Sequence, residues 1–260
     1  MEHINNAVTI ITGASRGIGA ATARYLAARG GRVVLGARSE DAVERVASEI
    51  RQAGGDAAAA PCDVTRYDQI AALVALTEER FGPVDALVNN AGLIDPIARL
   101  TESDPAAWGQ VVDTNVKGVY HGLRAVLPGM AARGRGTVVN ISSGASVSAL
   151  EGWSHYCSTK AGVLSLTRCA AREMAGSGVT VVGLSPGTVA TDMQTVIRAS
   201  GINSVSALPW EAHIPPDWVA RAIAYLMGPG GPAHAGTDFS LKTDAGRREA
   251  GLPLEQTDPA

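Results

Sequence analysis

Aromatic side chains make up only 4% of the 260 residues. The 46% hydrophobic content must therefore come from Ala, Val, Leu and Ile, a mix that suits a parallel sheet covered by helices. Excess charge of one sign is also missing. The formal net charge is −3 and the pI about 6.0, which argues against a partner such as nucleic acid or an anionic membrane surface. The three cysteines, Cys62, Cys157 and Cys169, contain no Cys-x-x-Cys pair, so neither a disulfide framework nor a metal site is expected, and a reduced cytoplasmic setting fits. No stretch reaches the roughly 18 apolar residues of a membrane helix, and the first residues lack a basic segment followed by an apolar one. Lysine is scarce too. Of 22 basic residues only Lys117, Lys160 and Lys242 are lysines, so each stands out against a habit of arginine.

What is present is alternation. Ala7–Thr12, Arg32–Ala37, Ala57–Pro61, Val84–Asn89, Gly136–Ser142, Val179–Ser185 and Asp238–Lys242 read as seven short apolar strands. Between them lie helical segments over 17–29, 39–53, 66–81, 104–133, 154–175 and 216–227. Strand alternating with helix implies an α/β fold of Rossmann type: a doubly wound, seven-stranded parallel sheet with helices on both faces. The length suits one dinucleotide-binding and catalytic domain over 1–260. The stretch 186–214 is too long for an ordinary connection and reads as a substrate lid, and a polar tail is expected from about 247 to 260.

In such sheets ligands sit beyond the carboxyl ends of the strands, so chemistry is sought there. Directly after the first strand comes Thr12-Gly13-Ala14-Ser15-Arg16-Gly17-Ile18-Gly19. Gly13 permits a tight turn, Gly17 lets backbone approach a pyrophosphate, and Gly19 removes a side chain where helix meets strand. The spacing is Gly-x-x-x-Gly-x-Gly, with no Gly-Lys-Ser/Thr ending of an ATP-type loop. Asp63-Val64 follows the third strand and Asn89-Asn90-Ala91-Gly92 ends the fourth. Each alone is ordinary turn chemistry. Together and in this order, from about residue 7 to residue 245, they resemble the classical short-chain dehydrogenases/reductases, most closely the 3-oxoacyl-(acyl carrier protein) reductase-like members.

The resemblance implies a cofactor cradle of Gly13, Ser15, Arg16, Gly17, Ile18, Gly19, Asp63, Val64, Asn90, Ala91 and Gly92. It also implies that the residue ending the second strand chooses the cofactor. Here that residue is Ala37, not the aspartate that accepts from a ribose hydroxyl, and Arg38 follows it. Arg16 and Arg38 beside a 2′-phosphate favour NADP(H), with NAD(H) as the alternative. Pro186-Gly187-Thr188-Val189-Ala190-Thr191, after the sixth strand, resembles the segment that packs on the nicotinamide, and contributes Pro186, Gly187, Val189 and Thr191.

Tyr156 and Lys160 stand four apart and share one face of the helix expected over 154–175. A phenol is a poor proton shuttle at neutral pH, and the nearby ammonium together with the oxidised nicotinamide's positive charge is expected to lower its pKa. Within the family, this pair donates or removes the proton and binds cofactor as well. Ser143, 13 residues before Tyr156, matches the serine that holds the substrate oxygen, and Asn115 matches the residue that places a proton-relay water. The catalytic set is thus Asn115, Ser143, Tyr156 and Lys160.

These residues read as reduction of a ketone to a secondary alcohol. The same set serves an NAD-dependent alcohol dehydrogenase, and a non-catalytic dinucleotide sensor or scaffold is the reading from another class. The epimerase branch of the family differs in glycine spacing and length. Met193, Val196, Ile197, Ile202, Leu208 and Trp210 in the lid point to an apolar or weakly polar small molecule, with Trp153 and His155 as further pocket candidates. Gly176-Ser177-Gly178 lacks the basic residue that the carrier-protein enzymes present, and Thr243-Asp244-Ala245-Gly246 departs from the family's Asp-Gly-Gly. Relatives associate through helices matching 104–133 and 154–175 and the last strand, so a homotetramer or homodimer is expected.

Overall fold

A computed structural model describes residues 2–254. The sheet has seven parallel strands: β1 (Val8–Thr12), β2 (Arg32–Ala37), β3 (Asp56–Pro61), β4 (Ala86–Asn89), β5 (Gly136–Ile141), β6 (Val179–Ser185) and β7 (Asp238–Ser240). Their order is β3-β2-β1-β4-β5-β6-β7, so the chain winds outward from β1, then returns to build the other half from β4. The fold expected from the alternation is the one observed.

Side-chain alternation along the strands sorts the core into two layers. Ile11, Val33, Leu35, Val88, Val139, Val182 and Leu184 pack on one face, against helices α1 (Gly17–Ala27) and α2 (Glu40–Gln52) and helix 216–227. Ile10, Val34, Leu87, Val138 and Val181 face the other way, against α3 (Tyr67–Phe81) and the helices over 118–133 and 154–173. Both layers are buried, which is why these strands read as continuous apolar runs.

The single helix expected over 104–133 is three elements. α4 (Pro105–Val112) is followed by a π-helical turn, Asp113–Lys117, and then α5 (Gly118–Arg133). The wider turn carries Asn115, whose side chain Oδ1 accepts from the Leu93 N–H at 2.8 Å while Nδ2 donates to the Leu93 carbonyl at 2.9 Å. Such turns interrupt the helix period at a functional position, and apolar periodicity cannot reveal them. α6 (Ser154–Glu173) runs as expected. In the stretch 186–214, α7 (Asp192–Ser200) is followed by short 3₁₀ turns at Ser204–Ala207 and Trp210–Ala212. α8 (Pro216–Met227) begins on its prolines.

The chain expected as a polar tail from 247 starts inside a further helix, α9 (Asp244–Glu249), capped by Thr243. Arg247 there is 5% exposed. Its Nε donates to the Leu241 carbonyl at 2.7 Å, and Ala250 and Leu252 join the core. The physical reason is the apolar pair at 250 and 252, which composition of the whole stretch had obscured. Residues 255–260 of that expected tail lie outside the described residues. Among the described residues, no helix is long and apolar enough to cross a membrane.

Candidate active site

The reversal of strand order between β1 and β4 opens a crevice, and side chains from both strand ends tie it into one unit. Asn90 Nδ2 donates to the Thr12 carbonyl at 2.9 Å and to the Gly13 carbonyl at 3.1 Å. In return, the Asn90 and Ala91 N–H groups donate to Thr12 Oγ1 at 3.1 and 3.2 Å. Gly13 has φ +64°, and a Cβ there would lie 2.8 Å from Ala91 Cα, so only glycine fits. Asn90, expected as a cofactor ligand, thus spends its amide on holding the glycine turn.

The crevice continues into a cleft of about 1310 Å³, larger than an ordinary small-molecule pocket. Its lining includes Gly13, Ser15, Arg16, Gly17, Ile18, Arg38, Asp63, Val64, Asn90, Ala91, Gly92, Pro186, Gly187, Val189 and Thr191, along with Ser143, Tyr156 and Lys160. Gly19 does not line it: a Cβ there would lie 2.6 Å from the Gly13 carbonyl oxygen, so this glycine serves close packing beneath the turn. Asn115 is also set back from the surface, 1% exposed, with Nδ2 bonded to Thr159 Oγ1 at 3.1 Å as well as to Leu93. Its Oδ1 nevertheless lies 3.4 Å from where a Gly92 Cβ would stand, directly behind the wall.

Two arginine expectations meet a more detailed picture. Arg16 NH1 lies 3.3 Å from Asp192 Oδ2 at the start of α7, with both side chains about three-quarters exposed. So exposed a pair is weak and leaves the guanidinium available to a stronger anion. Arg38 lines the cleft, and so does Arg45, one turn into α2 beside Ala42. Sequence reading passed over Arg45, though its spacing of three from Ala42 on a helix that starts at the end of β2 could have located it. No carboxylate from β2 or α2 lines this end of the cleft. The donors and the glycine turn fit a nicotinamide dinucleotide.

At the other end, Ser143 leaves β5 in an extended conformation and its Oγ accepts from the Ala145 N–H at 3.2 Å. Tyr156, in the first turn of α6, lines the cleft together with Ser143. Lys160 lies one turn on, 5.6 Å from the Tyr156 ring centre, and its Nζ donates to the Ile141 carbonyl at 2.7 Å. In the chain by itself burial sets the phenol: desolvation pushes Tyr156 up to about 12, and the Ser143 side chain only partly opposes it. Desolvation likewise brings Lys160 down to about 8, partly offset by the Asp238 carboxylate. Asp238 itself accepts from Ser142 Oγ at 3.1 Å and Ser146 Oγ at 3.5 Å, so it braces the turn that carries Ser143. Trp153 packs edge-on to Tyr156 at 5.5 Å and lines the cleft; His155 is fully buried, with Nε2 on the Ile94 carbonyl.

Comparison with known proteins identifies the family. The family model described as short chain dehydrogenase matches residues 7–201. A 3-oxoacyl-[acyl-carrier-protein] reductase of Synechocystis is 37% identical over 229 residues, covering 87% of this chain and 91% of the relative. A cis-4-hydroxycyclohexanecarboxylate dehydrogenase of Sinomonas cyclohexanicum is 41% identical over 220 residues, covering 84% and 88%. Among solved structures, an actinorhodin polyketide ketoreductase variant with NADPH superposes with a TM-score of 0.82 at 36% identity, covering 90% of this chain and 95% of the other. The chain belongs to the short-chain dehydrogenase family and is an NAD(P)-dependent oxidoreductase.

Proposed function

We propose that the protein reduces a ketone to a secondary alcohol with NADPH. The observation that carries this is that Ser143, Tyr156 and Lys160 line one end of a cleft whose other end holds the glycine turn, Arg38 and Arg45. The cofactor would be held by Gly13, Ser15, Gly17, Ile18, Asp63, Val64, Ala91, Gly92, Pro186, Gly187, Val189 and Thr191, with Arg16, Arg38 and Arg45 around its 2′-phosphate. When bound, its nicotinamide supplies the hydride.

The chain's own part is binding and proton transfer. Ser143 Oγ–H holds the substrate oxygen, and Tyr156 gives that oxygen its proton. A phenol pushed up to about 12 keeps its proton at neutral pH, which favours reduction. Oxidation would need the phenolate, so its rate should climb steadily as pH rises. Lys160, near 8, can return a proton to Tyr156 under physiological conditions. Asn115 pins the Leu93 backbone beside this pair, where a relay water would pass. The segment 186–214 closes over the substrate, the setting is cytoplasmic, and the enzyme assembles as a homotetramer or homodimer.

The test is a panel of ketones and alcohols with NADPH and NADH, run on the wild type and Tyr156→Phe. Reduction should be faster with NADPH and fall about 10² to 10⁴-fold in the variant, with melting unchanged. Survival within about tenfold would remove Tyr156 as general acid, and an NADH preference would favour the alcohol dehydrogenase reading.

A further inference from the structure

Cations are spread unevenly along the cleft. Arg16, Arg38 and Arg45 stand at the phosphate end, whereas Lys160 and Lys242 are the cations at the Tyr156 end. Lys160 is 6% exposed and already donates to a backbone carbonyl. Lys242 is exposed, follows β7, and runs from one catalytic turn to another. A Cβ on Gly187 would lie 3.2 Å from its Cγ, and a Cβ on Gly144 would lie 3.4 Å from its Nζ. The ammonium therefore ends one residue from Ser143. Among the described residues it makes no ion pair. Of the carboxylates lining the cleft, Asp192 is paired with Arg16, Asp63 accepts from the Thr65 N–H and hydroxyl, and Asp95 comes three residues after Gly92.

Trp153 lines the cleft beside Tyr156, but its indole N–H is buried away from the cleft surface and so does not meet a ligand there. The Lys242 ammonium at this end is donor only, and a carboxylate is the acceptor-only group that matches it.

We propose that Lys242 anchors a carboxylate on the substrate, so that short keto acids and their hydroxy acids are handled in preference to neutral ketones. The proposal rests on the carbonyl-reductase reading above and names its substrate class. It replaces the expectation of an apolar or weakly polar substrate, which came from residues 186–214 alone and so left out a lysine supplied by the end of the sheet.

The experiment compares 3-oxobutanoate and 4-oxopentanoate with their methyl esters, using wild type, Lys242→Gln and Lys242→Arg. The wild type should favour at least one acid over its ester about tenfold or more in kcat/KM. Lys242→Gln should lower the rate with that acid about 10- to 100-fold, change the ester less than about twofold, and leave the KM for NADPH alone, since charge-assisted bonds contribute on this scale. Lys242→Arg should restore part of the preference. Equal loss on acid and ester, or a raised KM for NADPH with the preference intact, overturns the proposal by giving Lys242 to general structure or to the cofactor. Reduction of esters and neutral ketones but of neither acid overturns it while leaving the carbonyl-reductase reading standing. Failure to reduce any carbonyl compound overturns both.

Discussion

The Lys160 ammonium donates to the Ile141 carbonyl oxygen at 2.7 Å, joining the middle of α6 to the last residue of β5. The bond keeps the cation beside Tyr156, while burial makes holding the charge costly and brings the group down from 10.5 to about 8. Between those values the unfolded chain binds more protons than the folded one, so stability gains as pH rises through the window. Lys160→Met abolishes that gain. The melting temperature of the variant minus that of the wild type should be largest below pH 8 and shrink toward pH 10, read by calorimetry across buffers. A constant difference would show that the lysine is not held as a buried cation.

Cofactor choice tests the other end of the cleft. Ala37 closes β2, is 7% exposed and lines the cleft beside Arg38. Ala37→Asp places a carboxylate where a 2′-phosphate would come, and should raise the KM for NADPH at least about tenfold while lowering that for NADH. Arg38→Ala should weaken NADPH alone, by about tenfold or more, because charge-assisted bonds to a phosphate contribute on that scale. Steady-state kinetics with each cofactor at low salt read both effects. If Arg38→Ala leaves the NADPH preference intact, Arg16 and Arg45 become the residues to vary next.

What could be read in the sequence follows from how local each signal is. The strands, the glycine turn and the Tyr156–Lys160 pair are contiguous patterns, set by periods of two and of three to four residues, and these appear at the expected positions. The π turn at Asp113–Lys117 leaves no periodic trace, because it answers to Leu93, 22 residues earlier. The upward shift of Tyr156 is likewise a property of burial among Ile94, Ala145, Trp153 and Ile197, not of its spacing from a lysine. Lys242 was conspicuous for its rarity, yet its place beside Gly144 depends on β7 closing the edge of the sheet next to β6. Asp238 was invisible for the same reason. Long-range neighbours of this kind need the strand order, which one sequence does not give.

A buried polar ladder behind the site offers a measurement of stability free of catalytic chemistry. Asn89 and Asn140 face each other in register on β4 and β5, and Asn89 Nδ2 donates to Asn140 Oδ1 at 2.9 Å. Asn140 Nδ2 donates in turn to Thr167 Oγ1 at 2.9 Å, and that hydroxyl donates to the Val163 carbonyl at 2.8 Å. All three side chains are 4% exposed or less, so water cannot replace a lost partner. Asn140→Ala leaves a donor on Asn89 and an acceptor on Thr167 unmet and should cost about 2–4 kcal/mol in urea unfolding. Thr167→Val strands only the Asn140 donor and should cost less. Because both changes break the same bond, the double variant should lose less than the two single losses added together. Strict additivity would mean that the Asn140–Thr167 bond contributes nothing to holding α6 on β5.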